Sequence, residues 1–389
     1  MANGVLKKLP EDLVFLILLT FPVKSLLRFK CISKAWSILI QSTTFINRHI
    51  NRKTNTKAEF ILFKRSIKDE EEEFINILSF FSGHDDVLNP LFPDIDVSYM
   101  TSKCDCSFNP LIGPCDGLIA LTDSIITIIL NPATRNFRVL PPSPFGCPKG
   151  YHRSVEGVGF GLDIISNYYK VVRISEVYCE EADGYPGPKD SKIDVCDLST
   201  DSWRELDHVQ LPSIYWVPCA GMLYKEMVHW FATTDTSMVI LCFDMSTEMF
   251  HDMKMPDTCS RITHELYYGL VILCESFTLI GYSNPISSTD PVEDKMHIWV
   301  MMEYGVSESW IMKYTIRPLS IESPLAVWKN HILLLQSRSG LLISYDLNSG
   351  KAKELNLHGF PDTLSVKVYK ECLTSIPKGN EYNTKVQKF

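Results

Sequence analysis

The hydrophobic pattern changes period near residue 57. Before that point apolar residues recur at helical spacing. Leu9, Leu13, Leu16 and Ile17 share a face in "LPEDLVFLILL", and Ile32, Ala35, Trp36 and Leu39 follow the i, i+3, i+4, i+7 rule in "VKSLLRFKCISKAWSILI". Pro10 falls where a first helical turn tolerates it, and Glu11 and Asp12 suit a helix N-terminus. Phe21-Pro22 breaks the run, and a third piece, "TTFINRHINR", opens on good N-cap residues. The pattern predicts three short helices whose common core is too small to stand alone. Their surplus of apolar positions points to a face covered by a partner, the alternative being the inside of the small bundle itself.

From residue 57 onward short strands alternate with turns. A polar corner followed by an aromatic strand, "CDLSTDSWREL" at 196–206, recurs as "CFDMSTEMFHDM" at 242–253 and "ISYDLNSGKAKEL" at 343–355. Anchored on this corner, four-strand units read at 157–206, 221–253, 268–316 and 325–355, with a shorter one at 117–142. Strands at 58–65 and 74–81 suggest a further unit, and "SVKVYKECL" near the C-terminus could pair with it, closing a ring and removing exposed edges. The expected fold is mainly β, a three-helix head at 1–52 followed by a kelch-like β-propeller of about six blades at 57–380, with a β-sandwich as the alternative. An Asp that ends a strand can accept from backbone N–H groups two residues on, so the corner reads as an Asx turn. Trp203, Phe250 and Trp310 would then pack against neighbouring blades.

Charge divides the chain in the same place. Residues 1–56 carry nine Lys/Arg and two Asp/Glu, a balance of +7 in a chain of net charge −8, so the remainder carries −15. A basic head and an acidic body suggest two surfaces for two partners of opposite charge. The acidic body argues against nucleic acid, which calls for clustered Lys/Arg. No apolar run reaches the ~18 residues of a membrane span. "KKLPEDLVFLILLTFP" loosely resembles a secretory signal, but Pro10, Glu11 and Asp12 interrupt it and no small-x-small cleavage site follows. Twelve cysteines occur without a CxxC pair or any Asn-x-Ser/Thr sequon, so the reading is a reduced, cytoplasmic protein.

Candidate chemistry is sparse. "GVGFG" at 157–161 lacks a third spaced glycine and leads into a strand, so no helix N-terminus awaits a phosphate. "GHDD" at 83–86 has no second His at ligand spacing, and neither G-x-S-x-G nor H-E-x-x-H occurs. The expectation is no catalytic residue, no metal and no cofactor; a propeller enzyme with the helical head as a lid is the remote alternative. More telling are three acidic, turn-rich insertions: "KDEEEE" at 68–73, "CEEADGYPGPKD" at 179–190 and "SNPISSTDPVED" at 283–294. Two of them interrupt the blade pattern between a second and a third strand, and such insertions often cluster on one binding face. Glu180, Glu181, Asp183, Asp190, Asp290, Glu293 and Asp294 are the candidate contacts for a basic protein.

The stretch "LPEDLVFLILLTFPVKSLLRFKCISKAWSILIQSTTFINRHI" resembles an F-box, with its Leu-Pro start, spaced leucines and Lys34-x-Trp36. Phe21 stands where that family more often has Leu. The resemblance implies docking on a Skp-type adaptor, and through it on a cullin-RING scaffold. It would set Leu9, Pro10, Leu13, Ile17, Leu26, Ile32, Trp36 and Leu39 at the adaptor. "CDGLIALTD", "NPATRNFRVLPPSP" and "GFGLDIISNYYKVVRISEVY" resemble the F-box-associated region of plant F-box proteins, most of all the S-locus F-box proteins. That family implies a pollen-side receptor that binds non-self S-RNases and directs their ubiquitination; the alternative is an F-box receptor for an unrelated protein. S-RNases are generally basic, in keeping with the acidic body.

Overall fold

The structure, a computed structural model, describes residues 9–51, 59–68, 74–84, 87–97, 111–122, 126–146, 149–179, 190–206, 211, 221–234, 237–260, 266–283, 295–316, 321–360 and 363–379. Among these, four helices make the head: α1 (Glu11–Leu19), α2 (Val23–Phe29), α3 (Lys34–Gln41) and α4 (Thr43–Ile50). The sequence pattern merged α2 and α3 into one piece, so the expected three helices are four. The chain turns at 30–32, and Ser33, in extended backbone, accepts the Trp36 N–H at 3.1 Å to start a new helix. Ser42 does the same for α4 through the Phe45 N–H at 3.3 Å. Pro10 and Pro22 cap α1 and α2, where a missing N–H costs nothing.

The body contains six antiparallel sheets among the described residues. The second blade holds β5 (Leu111–Cys115), β6 (Leu118–Thr122), β7 (Thr127–Asn131) and β8 (Asn136–Val139). The third holds β9 (Tyr151–Asp163), β10 (Tyr168–Cys179), β11 (Asp190–Asp197) and β12 (Ser202–Glu205). The fourth holds β13 (Met222–Tyr224), β14 (Met227–Thr233), β15 (Met238–Asp244) and β16 (Phe250–Lys254), and the fifth β17 (Leu266–Leu273), β18 (Ser276–Ser283), β19 (Met296–Met301) and β20 (Trp310–Ile316). β21 (Ile321–Trp328), β22 (Ile332–Ser337), β23 (Leu341–Asp346) and β24 (Lys351–His358) make the sixth. The first blade is composite: β1 (Glu59–Lys68), β2 (Phe74–His84), β3 (Val87–Pro90) and the short β4 (Ile95–Asp96) are completed by β25 (Ser365–Lys370).

That last pairing closes the ring. β25 runs antiparallel to β1 from Glu59↔Lys370 to Lys64↔Ser365. The first strands of successive blades (β25, β5, β9, β13, β17, β21) touch one another in turn around the axis. Six apolar clusters fill the six seams, each drawing on two adjacent sheets; the one between second and third blades joins Ile112, Ala120 and Ile129 to Phe160, Val171 and Trp203. No sheet edge is left at the join, so the propeller expectation holds and the sandwich does not. The second blade is not short: β5 was missed because "LIGPC" carries a Gly-Pro pair that reads as a turn. "GVGFG" belongs to β9. A Cβ on Gly159 would lie 2.7 Å from Val228 and 2.9 Å from Trp230 of the fourth blade, so close packing explains that glycine.

Candidate functional site

The recurring corner is a scaffold device. Asp197 Oδ1 accepts the Ser199 N–H at 2.8 Å, Asp244 Oδ1 the Ser246 N–H at 2.7 Å, and Asp346 Oδ1 the Asn348 N–H at 2.8 Å. Asn131 does so with Ala133 at 3.0 Å. The fifth blade departs: the Glu303 N–H donates to Ser309 Oγ at 3.0 Å, and Tyr304 reaches the fourth blade to meet His229 Nε2 at 2.7 Å. The aromatic after the corner does cross to the preceding blade. Trp203 Nε1 donates to the Pro141 carbonyl at 2.7 Å, and Trp310 Nε1 to that of Lys254 at 3.2 Å. Phe250 packs in the seam of third and fourth blades.

Buried titratable groups serve the same scaffold. Burial pushes His229 down to about 4, so it is neutral at pH 7, and pushes the thiols of Cys196 and Cys242 up to about 12, far from a reactive thiolate. Lys170 Nζ bonds Asp163 Oδ2 at 2.7 Å and Glu248 Oε1 at 2.8 Å, tying the third blade to the fourth. Burial opposes the charge on Asp163, yet the hydrogen bonds from Lys170, Ser166 and Ile165 hold its carboxyl below the usual range. No group of three His, Cys, Asp or Glu gathers to hold a metal among the described residues, and Asp85 and Asp86 of "GHDD" lie outside them.

The head offers a different surface. Leu9, Leu13, Leu16, Ile17, Ile32 and Ile38 are all exposed, Ile32 at 64% and Ile38 at 72%. Pro10 is exposed beside them, while Trp36 and Leu39 are half-buried against the helical core. Leu26 is otherwise: at 0% exposure it packs inside the head with Leu18, Val23, Ile40 and Phe45, so it can only support a partner surface from within. Burying one Leu or Ile is worth about 1.5–3 kcal/mol, so this stripe is a costly feature to leave in water.

The head is fastened to one end of the ring. Leu373, beyond β25, is buried in the head's core, and Ala133 of the Asn131 corner packs against it. Asn131 Nδ2 donates to the carbonyls of Cys372 (3.0 Å) and Thr374 (2.8 Å), and Arg138 Nη1 to those of Leu198 (3.0 Å) and Pro377 (2.7 Å). The 371–379 segment therefore runs beneath the second and third blades on the side of the third-to-fourth-strand corners.

The acidic insertions are tethered at the opposite end. The 180–189 stretch joins β10 to β11 and the 284–294 stretch leads from β18 toward β19, both second-to-third-strand connections. Because β25 is the first strand of the first blade, the 69–73 stretch between β1 and β2 is one too. The sequence reading missed this third member; the signal was the closing strand, which shifts the strand count within the first blade by one. Glu180, Glu181, Asp183, Asp290, Glu293 and Asp294 lie outside the described residues, as does 69–73. Asp190 is described: it is exposed at the start of β11 and pairs with Lys192 at 3.1 Å.

A ring of six blades with an apolar-faced helical module on one end defines the class. Comparison with known proteins gives the family. Residues 96–373 match the F-box associated beta propeller domain, and residues 6–48 match the F-box domain. The chain belongs to the F-box proteins with an F-box-associated β-propeller. Among its relatives are F-box protein CPR1 of Arabidopsis thaliana, 25% identical over 98% of this chain and 92% of that one, and F-box protein At3g07870 of the same plant, 27% identical over 94% and 92%. Among solved structures, a putative 6-phosphogluconolactonase from Bacteroides fragilis covers 82% of this chain and is itself covered in full, with a TM-score of 0.41 and 9% identity. A likeness that loose has no bearing on activity.

Proposed function

We propose that this chain is the substrate-recognition subunit of an SCF-type ubiquitin ligase, with a head of residues 1–52 for a Skp-type adaptor and a body of residues 57–380 for the target. The carrying observation is the exposed apolar stripe on a head that is clamped to one end of the propeller. Leu9, Pro10, Leu13, Ile17, Ile32, Trp36 and Leu39 would meet the adaptor, with Leu26 beneath them. The chain would supply proximity, turning an encounter of target and ubiquitin-charged enzyme into an effectively intramolecular one. It would supply no catalytic group, and it would work in the cytoplasm.

For the target, the reading is a basic protein of the S-RNase class, bound at the end of the ring from which the acidic second-to-third-strand connections depart. Support comes from charge: the chain beyond residue 56 carries −15 against +7 before it, inside a total of −8. Pull-downs of the full chain against a panel of S-RNases test this. Binding to some of them, lost when Glu180, Glu181, Asp183, Asp290, Glu293 and Asp294 become Gln or Asn, is the expected result. Binding to none would leave an F-box receptor for a different protein.

A further inference from the structure

The seam of the first and second blades holds a cavity of about 220 Å³ that neither proposed surface uses. Phe80, Phe92, Ile95, Leu130, Pro132 and Phe137 line it, and its walls are almost wholly apolar. Packed interiors seldom keep a void larger than a water, so a space of this size at a seam is unusual. An apolar cavity of about 150 Å³ is enough to hold a benzene ring. At 220 Å³ this one has room for a ring and a short side chain, and no more.

The rim supplies charge. Arg135 is exposed, adopts φ of 57°, and lays its guanidinium 3.9 Å over the Phe92 ring. No carboxylate pairs with it among the described residues. The other charged group at the rim, Asp94, is already engaged by Arg65 at 3.1 Å. The site thus presents a greasy slot with one available cation at its mouth, and a planar guanidinium suits a carboxylate through two parallel hydrogen bonds.

We propose that this cavity binds a small aryl carboxylate, its ring against Phe80, Phe92 and Phe137 and its carboxylate on Arg135. A basic ligand would meet Arg135 as a like charge, and a neutral one would gain only a weaker hydrogen bond from it. A folded protein partner cannot enter a space of one ring. The site is separate from both proposed partner surfaces, so its fate does not depend on theirs.

Titration calorimetry of the full chain with 3-phenylpropionate, and with the corresponding amide, tests the assignment. The acid should bind saturably at one site. Losing a charge-assisted hydrogen bond should weaken binding about tenfold or more, both for the amide and for Arg135→Leu. Because Arg135 is exposed, that variant should melt with the wild type. Ile95→Trp, which fills the slot, should abolish binding. Three results would overturn the proposal: no saturable binding of the acid, equal affinity of acid and amide, or Arg135→Leu binding like the wild type. A peptide ending in a free Phe carboxylate that binds more tightly than the acid would also overturn it, in favour of a protein chain end.

Discussion

Lys170 shows how single charges hold the ring. It is buried at the seam of third and fourth blades with Asp163, Glu248 and the Met245 carbonyl, the last at 3.0 Å. Glu248 keeps Arg204 as a partner, but removing Lys170 leaves the buried Asp163 carboxylate without its cation, so Lys170→Met should cost about 3 kcal/mol. The check is the denaturant midpoint at unchanged slope; a change within about 0.5 kcal/mol would contradict the assignment. His229 governs pH dependence on the acid side. Its ordinary value is 6.5 and burial lowers it to about 4 in the fold. Below pH 6.5 the unfolded chain takes up a proton that the folded chain refuses. The stability is therefore complete above 6.5 and is lost as pH falls toward 4, by roughly 3 kcal/mol in all. His229→Gln should flatten that limb of the stability curve.

At the level of elements, the corners and the C-terminal segment do most of the positioning. Trp203 is buried, donates to Pro141 and lies under Arg173 at 4.3 Å, so Trp203→Ala should cost about 3–5 kcal/mol in denaturant unfolding. Asn131 both closes its own corner and holds the 371–379 segment. Asn131→Ala should raise amide hydrogen exchange in α1–α4 while that in the fifth and sixth blades stays low. Unchanged exchange in the head would mean the segment is no clamp. Most of these elements were legible in the sequence, because the Asp-x-Ser corner is a local hydrogen-bonding rule and the Trp or Phe after it follows strand alternation. β5 was not, since Gly113-Pro114 mimics a turn, and neither was the gap between α2 and α3, where one capping serine outweighs a continuous apolar period. The clamp was beyond reach: nothing in Leu373 or Asn131 announces a partner more than two hundred residues away.

For the whole molecule, closure by β25 decides both architecture and polarity. It makes the first blade composite and turns the 69–73 stretch into a second-to-third-strand connection like the other two acidic stretches, with the head on the other end. The sequence showed two of those three, because the blade register can be counted only once the closing strand is paired. If a basic target is captured at the acidic end, its affinity should fall as salt rises, since exposed charges are screened over about 8 Å at physiological ionic strength. A salt-independent affinity would remove the electrostatic argument. The central claim rests on the head. Calorimetric titration of the full chain with a purified Skp-type adaptor should give a one-to-one complex, which Leu13→Asp with Ile32→Asp abolishes without lowering the melting temperature, both side chains being exposed. No complex with the wild type, or one that the doubly substituted chain forms equally well, would contradict the account.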